Sequence, residues 1–364
     1  MKNNFKNIQK SQLKIAIGPV FDEYGGVSQH IFGIKKYSTH RVTEIPSKFN
    51  RKLLSKSGRV MKLYKKIMNN RQLSQYDIIH SHVDPWFTNL CHLSRTENCK
   101  WIHTYHTFYF KEDYSNGLKI WQEKINKGLI EIASKADIKI CISNWLHDYL
   151  YIKYSIQTEV IPNGVDLAEC DKANPERFLK KYNLSDFVLY IGNLQSVKNP
   201  KQFVELAKQM PKIKFVMIGR NLDEVHLDRE YKVFIPENLI LLNEIMHEDA
   251  MDAISACKAF VMTSKCEGIP TVLLEAMAMG KPVVVPNHSG CKEVVCNDEN
   301  GFLYDQDSFD DLLNKTRQAI SPNHKGEGAR ERILKEYDWN IIIKKIDLLY
   351  QSCVSNSKKI GTIK

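Results

Sequence analysis

Short apolar runs alternate with amphipathic segments along the whole chain. In the first half these runs fall at residues 13–17, 76–82, 101–106 and 137–143, and in the second half at residues 187–192, 214–219, 239–242, 259–263, 283–285 and 301–304. Runs of this length are typical of buried strands, and the segments between them have apolar residues at helical spacing. The alternation predicts an α/β fold with two doubly wound parallel sheets.

The chain length indicates two domains rather than one. At 364 residues, each half is long enough to bury its own hydrophobic core. We predict an N-terminal Rossmann-like domain over residues 1–170, a C-terminal Rossmann-like domain over residues 171–338, a returning helix over residues 339–354 and a flexible tail over residues 355–364. The pair Asn163-Gly164 is a strong turn signal near the end of the first domain, and the polar residues 169–186 predict a hinge.

One predicted helix in the second half carries an isolated carboxylate. Glu267 follows an apolar strand, residues 268–270 turn the chain, and a helix is predicted over residues 271–279. That helix is apolar on nearly every side, which is typical of a buried helix. Glu275 has no basic residue on the same helix, and an unpaired buried carboxylate is costly. Glu275 is therefore either a core residue bonded to a neighbouring segment or a carboxylate that binds ligand hydroxyls.

The start of the same helix is a candidate anion site. Free N–H groups at residues 268–272 and the helix dipole both favour negative charge. The dipole contributes only ~0.3–1 kcal/mol when exposed, so a doubly charged ligand requires a cation as well. Phosphates at the helix start and vicinal hydroxyls one turn further on describe a nucleoside diphosphate with its ribose.

Glu267 and Glu275, set in the segment EGIPTVLLEAMAMGKPVV, resemble the E-x7-E motif of glycosyltransferase family 4, the group 1 glycosyltransferases. The resemblance covers about residues 13–354 and implies the GT-B architecture, two Rossmann-like domains facing a central cleft. By the same resemblance the first domain would bind the acceptor and the second the nucleotide sugar. It also implies transfer of a sugar from a nucleotide-diphosphate sugar to a hydroxyl acceptor, with retention at the anomeric carbon and without a metal or other cofactor. The family roles place Glu267 beside the donor sugar and Glu275 on the ribose. The backbone of Gly268, Ile269, Pro270 and Thr271 would hold the diphosphate.

The resemblance implies further site residues in both halves. Gly25 and Gly26 would face the donor, although an ordinary tight turn is the alternative. His106 ends a strand and would act at the reacting centre, where a His can stabilise developing charge. Lys198 would supply the cation for the diphosphate; its alternative is a solvated Lys. Asn193 stands where the family commonly has Arg, and it brings neither charge nor bidentate binding.

The segment that follows His106 is aromatic. Phe108, Tyr109, Phe110 and Tyr114 form a loop that would either contact an acceptor or pack in the core. Ser143 precedes another predicted helix, and we expect it to cap that helix rather than act as a nucleophile.

Charge is unevenly distributed along the chain. Of the net charge of +10, all falls in residues 1–170, which hold 25 Lys and Arg against 15 Asp and Glu. Arg59, Lys62, Lys65 and Lys66 share the polar face of a predicted amphipathic helix. This face would contact either an anionic membrane surface or bulk solvent. No nucleic-acid-binding motif accompanies it, so nucleic acid is not a predicted partner.

The remaining composition favours a cytoplasmic protein that associates at most peripherally with the membrane. The N-terminal residues are rich in Lys and Asn where a signal peptide requires an apolar region. No apolar run approaches the ~20 residues needed to cross a bilayer. The nine Cys include no C-x-x-C pair, and Cys99, His103 and His106 have no second ligand pair after them. We therefore predict no metal site.

Two other functions remain open from the sequence. One is a non-catalytic nucleotide-sugar-binding protein on the same fold, which Asn193 would permit. The other is a different GT-B enzyme, such as an epimerase or a phosphorylase.

Overall fold

The computed structural model describes residues 12–21, 25–46, 73–114, 117–296, 299–322 and 325–360. Within these ranges the chain forms two six-stranded sheets whose strand pairs are all parallel. The predicted α/β fold is confirmed. The predicted basic helix face at Arg59, Lys62, Lys65 and Lys66 lies outside the described residues.

The first sheet has the strand order β2-β1-β3-β4-β5-β6. Its strands are β1 (Lys14–Val20), β2 (Arg41–Pro46), β3 (Ile78–Ser81), β4 (Lys100–Tyr105), β5 (Ile138–Cys141) and β6 (Glu159–Val160). The helices in this part of the chain are α1 (Gly26–Tyr37), α2 (Pro85–Ser94), α3 (Ile120–Glu131) and α4 (Asn144–Tyr154). Helix α4 begins where the sequence predicts, because the Ser143 side chain accepts a hydrogen bond from the Leu146 amide.

The second sheet has the strand order β12-β11-β10-β7-β8-β9. Its strands are β7 (Phe187–Ile191), β8 (Lys214–Ile218), β9 (Leu239–Leu242), β10 (Ala259–Val261), β11 (Val283–Pro286) and β12 (Phe302–Tyr304). The helices are α5 (Leu167–Cys170), α6 (Pro175–Tyr182), α7 (Pro200–Gln209), α8 (Glu224–Tyr231), α9 (His247–Ala256), α10 (Thr271–Ala278), α11 (Cys291–Val294), α12 (Phe309–Ile320) and α13 (Lys325–Glu336).

Two of the differences from the sequence predictions have a clear physical cause. Strand β2 was missed because its residues are mostly half-exposed and do not form an apolar run. The predicted hinge at residues 169–186 contains helix α6, which Asn174 caps and which buries Phe178. The sequence does not predict this helix because its residues are mostly polar. Phe178 is its one buried residue and holds it against the core.

The final helix, α14 (Trp339–Ile360), packs on the first sheet's side of the molecule. A Cβ atom at Gly33 would lie 2.1 Å from Trp339 Cε2, so only glycine permits this contact with α1. Further along, the Tyr350 hydroxyl lies 2.7 Å from His80 Nδ1. The helix extends to Ile360, so its predicted end at residue 354 was too early. No Gly or Pro occurs before residue 361 to stop it.

None of the described helices combines the length and the apolar character needed to cross a membrane.

Candidate active site

The turn between β10 and α10 is fixed by its neighbours in the second domain. The Glu267 amide donates to Ser289 Oγ over 3.0 Å, and the Glu267 carbonyl accepts from the Gly290 amide over 3.0 Å. A Cβ atom at Gly290 would lie 1.2 Å from the Gly268 carbonyl oxygen. The backbone of this turn is therefore held in one conformation before any ligand binds.

The same turn meets three parts of the N-terminal domain. A Cβ atom at Gly268 would lie 2.3 Å from the carbonyl oxygen of His106. Asn163 Nδ2 donates to the Ile269 carbonyl over 2.7 Å. Gly26, at the start of α1, is close enough that an added Cβ would lie 3.6 Å from Thr271 Oγ1. The start of α1 and the start of α10 thus face the same space between the domains, together with the end of β4.

Glu275 lies in a cavity of about 100 Å³ between the two domains. The lining comes from α1, from the turn at residues 164–166, from Trp339 and from the second domain. Across the described residues, the Glu275 carboxylate makes no hydrogen bond or ion pair. Burial raises its pKa, partly offset by the nearby His247, while Glu169 raises it further. No described residue therefore serves as the hydrogen-bond partner that Glu275 would need as an ordinary core residue.

Lys198 forms an ion pair with Glu267, with Nζ 2.6 Å from Oε1. Both side chains are mostly buried, at 29% and 12% exposure. The Lys198 carbonyl accepts hydrogen bonds from the Tyr190 hydroxyl and from Thr263 Oγ1, each over 3.2 Å. These contacts fix the backbone just before α7. The cation predicted for the diphosphate thus lies beside the first Glu of the motif, and the solvated alternative does not hold.

The Asn193 side chain contacts the protein backbone. Its Oδ1 accepts a hydrogen bond from the Arg220 amide over 3.2 Å. The Arg220 guanidinium is close to this position in the chain, but it pairs with Glu244, with Nη2 2.6 Å from Oε1. Gly25 is the N-terminal cap residue of α1, and its carbonyl accepts the Gln29 amide over 3.0 Å.

His106 belongs to a group of buried histidines that the sequence does not predict. His82 Nδ1 lies 2.9 Å from His106 Nε2, and the His30 ring centroid lies 5.0 Å from that of His106. Burial lowers the pKa of His30 to about 4 and holds those of His82 and His106 well below the usual value. All three are neutral at pH 7. The sequence contains one indication that His30 is buried: its helical spacing from Ile34 places both side chains on the same face of α1.

Within the described ranges, His30, His82 and His106 are the one group whose ligand atoms lie close enough to hold a metal ion. The set considered from the sequence does not assemble, because Cys99 Sγ donates to the Leu73 carbonyl and His103 Nδ1 contacts Ser81 Oγ.

Two parallel-sheet domains that meet at a cleft define the GT-B class of protein. Two family models match nearly the whole chain: Glycosyltransferase Family 4 over residues 22–169 and Glycosyl transferases group 1 over residues 171–336. The chain belongs to glycosyltransferase family 4, and it is a glycosyltransferase.

Relatives and solved structures agree with this assignment. A UDP-Gal:alpha-D-GlcNAc-diphosphoundecaprenol alpha-1,3-galactosyltransferase of Escherichia coli is 27% identical over 322 residues, which cover 82% of this chain and 79% of that protein. The sucrose-phosphate synthase of Thermosynechococcus elongatus has a TM-score of 0.75 at 20% identity, covering 95% of this chain and 100% of that one. Anabaena HepE in complex with UDP and glucose has a TM-score of 0.75 at 18% identity, covering 94% and 100%. At these identities the structures support the fold alone.

Proposed function

We propose that this glycosyltransferase moves a sugar from a nucleotide-diphosphate sugar to a hydroxyl acceptor with retention at the anomeric carbon. The observation that carries the proposal is the Glu275 carboxylate, which lies in the interdomain cavity without a partner in the described part of the chain. Ribose hydroxyls would supply the hydrogen bonds that this carboxylate lacks.

The charges around the turn suit a diphosphate. The start of α10 contributes up to ~2 kcal/mol toward an anion in a partly buried site. Lys198 adds a full positive charge at the same place. When the donor binds, the Lys198 ammonium leaves Glu267 and pairs with the diphosphate. Glu267 then becomes available to position the donor sugar. The start of α1, at Gly25 and Gly26, approaches the donor from the other domain.

In the transfer step, the bond between the anomeric carbon and the diphosphate oxygen breaks, and its electron pair leaves with the diphosphate. The acceptor oxygen bonds to the same face of that carbon, and its proton passes to the departing diphosphate. The neutral His106 hydrogen-bonds at the reacting centre. Lys198 and the start of α10 offset the leaving-group charge, so the proposed reaction requires no metal.

The cavity beside Glu275 is smaller than the donor. Its volume is about 100 Å³, whereas ligand sites usually measure ~300–1000 Å³. We therefore expect the two domains to move apart for donor entry and to close again on the bound sugar.

UDP-sugars are the first donors to test, because the E. coli relative is named for UDP-Gal and HepE was solved with UDP. The named acceptor of the E. coli relative is diphosphoundecaprenol-linked, which favours a lipid-linked acceptor here and peripheral binding to the cytoplasmic membrane face. Arg59, Lys62, Lys65 and Lys66 would contact that surface. Co-sedimentation with anionic liposomes should fall when the three Lys residues are neutralised, and unchanged sedimentation would reject the surface.

The donor site is tested with Glu275→Gln, which keeps the side-chain shape and removes the charge. Loss of a charge-assisted hydrogen bond costs ~1.5–3 kcal/mol, so we expect roughly 10-fold to 100-fold weaker UDP binding by calorimetry. Glu237→Gln, at an exposed position, is the matched control and should bind UDP normally. Equal UDP, GDP and ADP affinities for Glu275→Gln and the unchanged protein would remove Glu275 from the donor site.

Catalysis and stereochemistry need separate measurements. Formation of a glycoside from any nucleotide sugar excludes a non-catalytic sensor, and sugar release with free phosphate alone would indicate a phosphorylase. Proton NMR of the first product formed should show the anomeric configuration of the donor. An inverted linkage would contradict retention.

A further inference from the structure

A second cavity between the domains, separate from the one at Glu275, has a volume of about 460 Å³. That volume falls within the usual range for small-ligand sites, ~300–1000 Å³. The N-terminal domain lines it with Phe110, Asp113 and Trp145, and the C-terminal domain lines it with Lys265 and His288, among others. Of these residues, Phe110 alone has a candidate role so far, as part of the aromatic loop that would contact an acceptor or pack in the core.

Its aromatic side chains form a continuous wall. The Phe110 and Trp145 ring centroids lie 5.4 Å apart, and the Trp145 and His288 centroids lie 6.1 Å apart. Trp145 is only partly buried, so one part of its ring remains accessible from the cavity. The weakly polar C–H faces of sugar rings pack well on such a surface, since aromatic rings offer large apolar area at fixed geometry.

Asp113 is the buried polar group of this cavity. It is 9% exposed, and its carboxylate makes no hydrogen bond or ion pair within the part of the chain that is described. Its main chain, in contrast, is tied to the opposite domain. The Asp113 carbonyl accepts from Ser196 Oγ over 2.6 Å and from Lys265 Nζ over 3.3 Å. The Lys265 ammonium is therefore bonded to the Asp113 backbone, and the Asp113 side chain lines the cavity.

The position of Asp113 relates this cavity to the transfer site. Burial raises the pKa of Asp113 to about 6; Lys265 opposes the shift, and the charges on Glu112 and Glu267 add to it. The contacts of its main chain point the same way, because Ser196 and Lys265, which bond the Asp113 carbonyl, stand two residues before Lys198 and Glu267 in the chain. A buried carboxylate without a partner is costly, and a ligand hydroxyl would relieve that cost.

We propose that this second cavity is an acceptor subsite for a saccharide, in which Trp145 packs against the sugar ring and Asp113 accepts a hydrogen bond from an acceptor hydroxyl. The inference rests on the proposed glycosyltransfer. Asp113 would hold the hydroxyl-bearing face of the acceptor beside Glu267, which positions the donor sugar from the opposite wall.

The test uses the full chain and two saccharide probes, octyl and methyl α-N-acetylglucosaminide, titrated by saturation-transfer NMR in the presence of UDP. We expect Asp113→Asn to weaken binding of both probes roughly tenfold, in line with the loss of a charge-assisted hydrogen bond. Trp145→Ala should weaken binding at least as much. Asp148→Asn, an exposed position on the same helix as Trp145, should bind like the unchanged protein. Tighter binding of the octyl probe would indicate a lipid-linked source for the sugar, and equal binding a free glycan.

UDP binding, measured by thermal shift on each variant, separates this proposal from the one on which it rests. Preserved UDP binding with lost saccharide binding in Asp113→Asn supports the subsite. Unchanged saccharide binding in Asp113→Asn, or no saccharide binding by the unchanged protein, overturns the subsite and leaves the donor site intact. Absence of nucleotide binding by the unchanged protein would instead count against the donor site.

Discussion

Where His106 meets the turn before α10, the two walls of the cleft differ in charge. The N-terminal wall ends in buried histidines, and burial keeps His30, His82 and His106 neutral. The C-terminal wall carries an ion pair, Lys198 with Glu267, and the Glu275 carboxylate, which has no partner among the described residues.

The difference indicates how each wall contributes to transfer. A phosphorylated donor needs charge and free backbone amides, and these lie on the C-terminal wall. The neutral histidines opposite them avoid burying further unpaired charge when the domains close, which would be costly. The N-terminal domain also brings Lys36, Asp166 and Glu169 to the Glu275 cavity, where Lys36 pairs with Asp166 and Glu169 with His247. Asp113, in contrast, is a buried carboxylate for which the described residues offer no side-chain partner, and this is one reason to assign it to a ligand.

Removing the cation of the C-terminal wall should have the largest effect. Lys198→Ala leaves the negative charges of the diphosphate and of Glu267 without a counter-ion. We expect kcat to fall ~100-fold to 1000-fold, which is the usual loss when one preorganised hydrogen-bond donor is removed from a developing charge. Steady-state kinetics with UDP-sugars would measure it. Lys201→Ala, exposed near the start of α7, is the matched control. A fall of less than threefold in Lys198→Ala would place the diphosphate elsewhere.

Forcing the walls apart should have the next largest effect. Gly268→Ala would place a Cβ atom 2.3 Å from the His106 carbonyl oxygen, so the domains cannot keep their present approach. Displacement of about 1 Å at a reacting centre can reduce the rate ~100-fold, and we expect a loss of that order in kcat/KM. Gly26→Ala adds only an ordinary contact at 3.6 Å and should lose much less. Equal losses in the two variants would show that the close approach at Gly268 is not required.

Neutrality of the N-terminal wall predicts a smaller, pH-dependent effect on stability. The pKa of His30 is about 4 in the folded protein, below the usual 6.5 of the unfolded chain. Its stabilising contribution is therefore complete above pH 6.5 and is lost as the pH falls from 6.5 toward 4. Each such residue contributes ~1.4 kcal/mol per pH unit within that window.

His30→Asn should reduce this slope in urea unfolding measured between pH 6.5 and 5, whatever its effect on absolute stability. Above pH 7 the variant and the unchanged protein should show the same slope. Identical slopes between pH 6.5 and 5 would mean that His30 takes up its proton in the folded state.

The sequence predicts local elements and the central motif, but not the pairings between distant segments. Apolar runs located the strands, and Glu275 was singled out because local helix periodicity left it without a neighbour. Asp113 carried no such signal, since its burial depends on packing against Ser196 and Lys265 of the other domain. The Lys198 pair with Glu267 and the Asn193 contact with Arg220 likewise join residues that only the folded sheet brings together.

Helix α14 makes the N-terminal domain discontinuous in sequence. The core around β1 includes Trp339, Ile342, Ile346 and Tyr350, which are synthesised after the entire second domain. During translation, part of the apolar surface of the first sheet therefore stays uncovered until α14 has left the ribosome. The two domains are also joined by two chain crossings, one after β6 and one before α14, which restricts twisting of one domain relative to the other while still permitting the cleft to open.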